Sequence, residues 1–157
     1  MTTMSITIVQ ATVADAPKVA LLFNAYRVFY EQESDLALAE AFLSARLTHE
    51  QSIIFFAQND SGEVLGFTQL YPTFSSISAQ NSWILNDLFV TQAARGQGIG
   101  RQLLDKARGF AEATFSEGIT LETAVDNHTA QSLYESSGYQ RETAFYTYHL
   151  SLEDVTV

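Results

Sequence analysis

The clearest candidate for ligand binding in this sequence lies where an apolar run gives way to an amphipathic one. The run WILNDLFV, residues 83–90, is typical of a buried strand, and RGQGIG, residues 95–100, precedes a helix-like pattern. Glycine leaves room for a ligand beside the backbone, and the first N–H groups of a helix have no internal partner. The helix dipole adds positive potential at the same end. The junction is therefore suited to hold a pyrophosphate.

Two common phosphate sites use a glycine-rich turn of this kind, and the sequence argues against both. A Rossmann domain has its turn near the start of a doubly wound domain, whereas three strand-like and two helix-like segments precede residues 83–90 here. A P-loop requires Gly-Lys-Ser/Thr, but Gly100 is followed by Arg101 and Gln102.

The rest of the sequence predicts the elements that position this junction. Strand patterns occur at residues 5–12, 52–58, 64–74, 83–90 and 119–125, and in two further runs that end at Leu152. Helical spacing of apolar residues occurs at residues 16–30, 36–49, 97–115 and 129–136. The order βααβββαβαββ predicts an α/β layered fold, with a mixed central sheet of six to seven strands flanked by four helices.

Size and charge restrict the classes of function. The 157 residues, 46% hydrophobic and 17% charged, suit one domain over residues 1–157. No apolar run approaches the roughly 20 residues that span a bilayer, and the first ten residues contain no Lys or Arg, so we expect a soluble, cytoplasmic protein. A formal charge of −10 argues against nucleic acid or membrane partners and favours cations.

Cysteine and histidine usage excludes other chemistry. The absence of cysteine removes disulfides, thiolate metal sites and a cysteine acyl-enzyme. His49, His128 and His149 show no metal-ligand spacing, so we expect no metal site.

These motifs and their order resemble the GNAT acetyltransferase superfamily. Its pattern Gln/Arg-x-x-Gly-x-Gly/Ala is met by Arg95, Gly98 and Gly100, and NHTAQSLYESSGY, residues 127–139, resembles its second signature. The resemblance covers nearly the whole chain. It implies one GNAT N-acetyltransferase domain, homodimeric, that uses acetyl-CoA as co-substrate.

The resemblance also implies how the coenzyme is held. The pantetheine arm would pair with the fourth strand much as an added strand does, backbone amides after it would hold the pyrophosphate, and Asn127 would bind the pantetheine. The coenzyme-binding residues would be Leu88, Phe89, Val90, Arg95, Gly96, Gln97, Gly98, Ile99, Gly100, Arg101, Asn127, Ala130 and Tyr134.

Direct transfer to an amine needs a neutral amine, a polarised thioester and a proton for the departing thiolate. The resemblance places Tyr134 near the acetyl sulfur. With an ordinary pKa of about 10, a tyrosine is protonated at neutral pH and can supply that proton.

The group that accepts the amine's proton is left open. The related spermidine/spermine acetyltransferases have a glutamate where this sequence has Asn86, and an amide cannot take a proton. Asp87 and Glu122 are the remaining carboxylates close enough in the implied sheet. Neighbouring residues of a regular strand face opposite sides, so Asp87 could take the role of the missing glutamate only if a bulge or twist turned it toward the side that Asn86 faces. A solvent base, or capture of the neutral fraction of the amine, is an equal alternative.

The acceptor site is predicted at YRVFYEQESD, residues 26–35, which combines aromatic rings with carboxylates. Cations favour such surroundings, so we expect a primary amine of a small cationic substrate, a polyamine, an amino acid or similar. The predicted contacts are Tyr26, Phe29, Tyr30, Glu31, Glu33 and Asn86. This segment and LNDLFV look like the branch of polyamine, thialysine and yeast histone/D-amino-acid acetyltransferase-like proteins. The alternatives are a non-catalytic acyl-CoA sensor and an enzyme that acetylates protein or peptide amines.

Overall fold

The computed structural model describes residues 5–153 and has, within that range, one five-stranded sheet and four α-helices. The strands are β1 (Thr7–Gln10), β2 (Ile53–Gln58), β3 (Val64–Ser75), β4 (Gln80–Val90) and β5 (Ile119–Thr120). The helices are α1 (Ala16–Phe29), α2 (Leu36–Thr48), α3 (Ile99–Ala113) and α4 (His128–Ser136). Single turns of 3-10 helix occur at Val13–Asp15 and Gln92–Ala94. The predicted α/β class, mixed sheet and four helices are confirmed.

The sheet is mixed because its last strand runs parallel to its neighbour. Strands β1 to β4 pair antiparallel in sequence order, whereas β5 pairs parallel with β4. That parallel pairing involves only Trp83 with Ile119 and Ile84 with Thr120. Beyond Ile84, β4 therefore has a strand partner on its β3 side alone.

Two apolar layers enclose the sheet, and β2 shows how the sequence builds both. Ile54 and Phe56 belong to the layer beneath α1 and α2, whereas Phe55 and Ala57 belong to the layer beneath α3. All four residues are at most 1% exposed. Because successive side chains of a strand face opposite sides, a strand covered on both faces is continuously apolar.

Within the described residues the sheet has five strands, slightly fewer than the six to seven or so that the sequence predicts. The predicted strand at residues 119–125 pairs only over its first two residues, and no strand forms after α4 within the described chain. The side chains of Tyr146 and Tyr148 are each 91% exposed. Alternating sequence shows a preference for extended backbone, but a strand also needs a neighbour for its N–H and C=O groups.

Glycine at position 66 lets β3 pack closely against both β4 and α3. A Cβ built there would lie 3.0 Å from the backbone oxygen of Phe89 and 3.2 Å from Cγ2 of Ile99. We expect Gly66→Ala to lower the free energy of unfolding by about 1–3 kcal/mol, because strand and helix must move apart. Urea denaturation measures this change.

The matched control is Gly109→Ala on the exposed side of α3, where a Cβ meets nothing within 4 Å. This variant should gain about 1 kcal/mol, since alanine favours helix over glycine. Equal effects of the two substitutions would contradict the proposed close packing at Gly66.

Candidate active site

The turn before α3 presents unpaired backbone N–H groups. Gly98 is the N-terminal cap in the left-handed region at φ 78°, and Gly96 has φ 82°, a conformation that glycine adopts without strain. The first turn closes when the N–H of Gln102 donates to the oxygen of Gly98 at 3.1 Å. Within the described residues, the N–H groups of Ile99 and Gly100 have no backbone acceptor. This end of the helix is therefore suited to an anion, as its sequence indicates.

A cleft of about 1200 Å³ runs from this turn between β4 and α4, and we call it the large cleft. Of the predicted coenzyme residues, all but Gln97 line it. Its far wall is formed by residues 120–124, of which the sequence predicted only Glu122 as a site residue. The run ITLETAV, residues 119–125, could have predicted this wall. A strand that follows β4 and a helix usually lies parallel to β4 and beside it.

Helix α4, on the wall of the large cleft, is capped by Asn127 and held against α3 by two contacts. The side-chain oxygen of Asn127 accepts from the N–H of Ala130 at 3.1 Å and caps the helix. The guanidinium of Arg101 donates to Oγ of Ser136 at 2.6 Å. A Cβ built at Gly100 would lie 3.3 Å from Leu133, so α3 and α4 approach closely there. The capping role leaves the Nδ2 donor of Asn127 available to a ligand in the cleft.

Tyr134 of α4 lines the large cleft. Burial raises the pKa of its phenol above the ordinary value of 10, and the neighbouring Tyr30 adds to this effect. Because both influences disfavour the phenolate, Tyr134 carries its proton at neutral pH. It has the protonation state that a general acid requires.

A second cavity, of about 460 Å³, lies between α1, α2 and β4, and we call it the small cavity. Its lining includes Asp87 and Tyr71 from the sheet and rings from both helices. Tyr26, Tyr30 and Asn86 line the small cavity and the large cleft alike. The two spaces therefore meet at these three side chains.

A change of register decides which way Asp87 faces. Gln69 pairs with Asp87 but the next residue, Leu70, pairs with Leu85, so Asn86 is an extra residue in β4. This bulge interrupts the regular alternation of side chains. Asp87 is 4% exposed and lines the small cavity. Its carboxylate accepts from Nε2 of Gln69 at 2.6 Å and from Nδ2 of Asn86 at 3.0 Å.

The phenols around this carboxylate are held in their protonated form. Burial, followed by the charge of Asp87, raises the pKa of Tyr26 well above its ordinary value. Burial and then Asp87 also raise the pKa of Tyr71 to about 12, against a lowering effect of Arg46. The small cavity thus combines one buried carboxylate with neutral aromatic hydroxyl groups.

The other predicted site residues lie apart from this carboxylate. Glu122 is exposed and lines the large cleft but not the small cavity. Glu31 and Glu33 are exposed and line neither space. Phe29 lines the large cleft, with its ring 6.0 Å from that of Phe89.

Residues 5–153 contain no cluster of three or more His, Asp or Glu side chains that could hold a metal ion. None of the helices in this range combines the length and apolar character needed to cross a membrane.

Comparison with known proteins identifies the family. The sequence profile of the Acetyltransferase (GNAT) family matches residues 19–139. The chain belongs to this family. It is therefore an N-acetyltransferase, and enzymes of the family use acetyl-CoA as co-substrate.

Individual relatives agree with this assignment. The chain is 50% identical to the uncharacterized N-acetyltransferase YhfO of Bacillus subtilis strain 168, over 91% of this chain and 95% of that protein. It is 29% identical to the D-amino-acid N-acetyltransferase HPA3 of Saccharomyces cerevisiae over 55% of this chain and 54% of that one. A solved structure of a probable acetyltransferase superposes with a TM-score of 0.89 at 40% identity, over 94% of this chain and 99% of that one.

The geometry of the acetyltransferase fits acetyl-CoA. The unpaired N–H groups at the start of α3 suit its pyrophosphate, and the open side of β4 beyond Ile84 suits the amide groups of pantetheine. Both features border the large cleft.

The raised pKa of Tyr71 predicts a loss of stability in alkali. Below pH 10 this tyrosine is protonated in the folded and unfolded states, so its contribution is fully present. Between pH 10 and about 12, Tyr71 loses its proton in the unfolded chain but keeps it in the folded protein. Ionisation therefore favours the unfolded chain, and the contribution of Tyr71 to stability is lost. The free energy of unfolding should therefore fall less over this pH range in Tyr71→Phe than in the wild-type protein. We expect a difference of about 1 kcal/mol, because Tyr71 is partly exposed and solvent screens its interactions.

Urea denaturation at a series of pH values measures this fall. Tyr148→Phe is the control, because that side chain is 91% exposed. If Tyr71→Phe and Tyr148→Phe follow the same pH dependence, the environment assigned to Tyr71 is wrong.

Proposed function

We propose that this enzyme transfers an acetyl group from acetyl-CoA directly to the primary amine of a small molecule. The observation that carries the proposal is the meeting of two spaces at Tyr26, Tyr30 and Asn86. One space has Tyr134 on its wall and suits the coenzyme. The other contains the buried carboxylate of Asp87 and suits an amine.

The coenzyme lies in the large cleft. Backbone N–H groups of residues 96–101 hold its pyrophosphate, and residues 88–90 of β4 pair with the pantetheine. Asn127 donates from Nδ2 to a pantetheine carbonyl. The acetyl group then reaches the wall that the two spaces share.

The amine nitrogen attacks the thioester carbonyl carbon from the small cavity. When the tetrahedral intermediate collapses, the carbon–sulfur bond breaks and its electron pair goes to sulfur. Tyr134 donates its proton to that sulfur, and Asp87 accepts a proton from the amine, directly or through water. The bulge at Asn86 supports this role for Asp87, because it turns the carboxylate toward the small cavity. No covalent enzyme intermediate is required.

The acceptor is a small molecule carrying a primary amine. A cavity of about 460 Å³ lined by rings suits a ligand of modest size better than a folded protein surface. Asp87 and the rings of Tyr26 and Tyr30 suit a protonated amine before it is deprotonated for attack. The name of the yeast relative, a D-amino-acid N-acetyltransferase, also favours a small acceptor.

A homodimer in the cytoplasm completes the proposal. Residues 140–152 lie after α4, outside any helix or strand, and carry exposed aromatic side chains, among them Phe145 at 79%. Tyr146, Tyr148, Leu150 and Leu152 recur at every second position of this segment, the period of a strand with one apolar side. A second copy of the chain would bury that side. The cytoplasm is where acetyl-CoA is available to the enzyme.

Replacing the proposed acid tests its role. Tyr134→Phe should lower kcat about 10²–10⁴-fold, because the phenol no longer protonates the thiolate. Binding of CoA, measured by titration calorimetry, should be retained. The assay is release of free thiol from acetyl-CoA in the presence of an amine.

Tyr139→Phe is the matched control. Its ring lies 6.1 Å from that of Tyr134, its buried hydroxyl has no hydrogen-bond partner, and it lines neither space. Turnover by Tyr139→Phe should stay near the wild-type value. Unchanged turnover by Tyr134→Phe would remove that residue from its role.

Replacing the proposed base tests the other proton transfer. Asp87→Asn should lower turnover about 10²–10⁴-fold at neutral pH, and its rate should rise with pH as the neutral fraction of the amine grows. Gln69 can accept from the new amide through Oε1, which has no partner at present, so we expect the fold to persist. Glu122→Gln is the control. A neutral-pH defect in Glu122→Gln but not in Asp87→Asn would transfer the base role to Glu122.

A further inference from the structure

The small cavity contains a cation as well as a carboxylate. Arg27 of α1 contributes to its lining, and Nη1 of this side chain is buried without a hydrogen-bond partner. Among the residues that line the cavity, Asp87 is the one carboxylate, and its oxygens already accept from the amides of Gln69 and Asn86. Within residues 5–153, Arg27 forms no ion pair with an acidic side chain.

A second arginine adds positive charge beside the same cavity. The guanidinium of Arg46 lies 4.9 Å from the ring centroid of Phe42, and its charge lowers the pKa of Tyr71. Phe42 and Tyr71 both line the cavity. Nε of Arg46 is likewise buried without a partner. The surroundings of the cavity thus hold two guanidinium groups and one carboxylate.

A buried guanidinium nitrogen without an acceptor is costly, and the natural partner of the group is a carboxylate. An unpaired buried donor loses its bond to water and gains nothing in exchange. The planar fork of arginine matches the two oxygens of a carboxylate. Because no side chain in the described residues supplies that carboxylate, a ligand in the cavity is the partner that fits.

We propose that the acceptor amine also carries a carboxylate, which Arg27 binds while the amine faces Asp87 and Asn86. The acceptor class is therefore an amino acid, and the rings of Phe23 and Phe42 in the lining favour one with an apolar side chain. This inference rests on the proposed acetyl transfer and names its substrate class. It disfavours polyamines, because the second cationic group of a diamine would meet Arg27.

Kinetics with a matched series of acceptors tests the inference. The series consists of leucine in both configurations, leucinamide, 3-methylbutylamine and 1,4-diaminobutane, assayed by thiol release from acetyl-CoA. The wild-type enzyme should show kcat/KM for one leucine enantiomer at least about 10-fold above that for leucinamide and the two plain amines. Arg27→Gln should lose about 10–100-fold in kcat/KM for leucine, mainly through KM. It should change kcat/KM for leucinamide and 3-methylbutylamine little, and raise it for 1,4-diaminobutane, whose second cation no longer meets Arg27.

The control substitution is Arg108→Gln. It makes the same chemical change on the exposed side of α3, where Arg108 pairs with Glu112 at 2.9 Å. All acceptors should behave as in the wild-type enzyme. The inference is overturned if the wild-type enzyme acetylates 3-methylbutylamine as well as leucine, or if Arg27→Gln weakens every acceptor alike.

Equilibrium binding separates this inference from the proposed function. N-acetyl-leucine and N-acetyl-3-methylbutylamine are titrated by calorimetry into the enzyme saturated with CoA. If N-acetyl-leucine binds, N-acetyl-3-methylbutylamine does not, and the binding is lost in Arg27→Gln, the inference is supported. If no thiol is released at the same time, only the proposed acetyl transfer has failed. If neither enantiomer of N-acetyl-leucine binds better than N-acetyl-3-methylbutylamine, the inference is overturned, even if the enzyme acetylates plain amines.

Discussion

The separation of β4 from β5 is the constraint on which the rest of this site depends. After Ile84 the two strands no longer pair, so one side of β4 keeps backbone groups without a strand partner. A sheet normally buries or pairs such groups, since unpaired N–H and C=O groups are costly away from water. Here they border a cleft whose opposite end is the N-terminus of α3. An extended coenzyme with amides along its arm and phosphates at its end matches both features.

The small cavity depends on a smaller irregularity in the same strand. One extra residue at Asn86 changes the side-chain alternation, so Asp87 lies in the small cavity instead of the layer beneath α3. A buried carboxylate is costly unless it is hydrogen-bonded, and the two amides beside it meet that need. The bulge therefore places a charged group at low energetic cost next to the space that an amine would enter.

Aromatic packing joins the two halves of the site. The ring of Tyr26 lies 5.0 Å from Tyr30 and 5.8 Å from Phe89, which links the end of α1 to β4. Arg95, from the turn before α3, lies 5.7 Å above the ring of Phe89 and donates to the oxygen of Val90 at 3.0 Å. The wall between the large cleft and the small cavity is thus fixed from both sides.

The sequence by itself determined the family, the α/β class and the glycine-rich turn at the start of α3, because these are set by local features. Glycine at positive φ, a helix start and periodic apolar residues can each be recognised within a few neighbours, as at Gly98. The tertiary structure alone decided the side on which Asp87 lies, the pairing of β5 and the position of Arg27 beside the small cavity. Register, strand pairing and cavity lining depend on contacts between segments distant in sequence, such as Gln69 with Asp87, and alternation within one segment does not encode them.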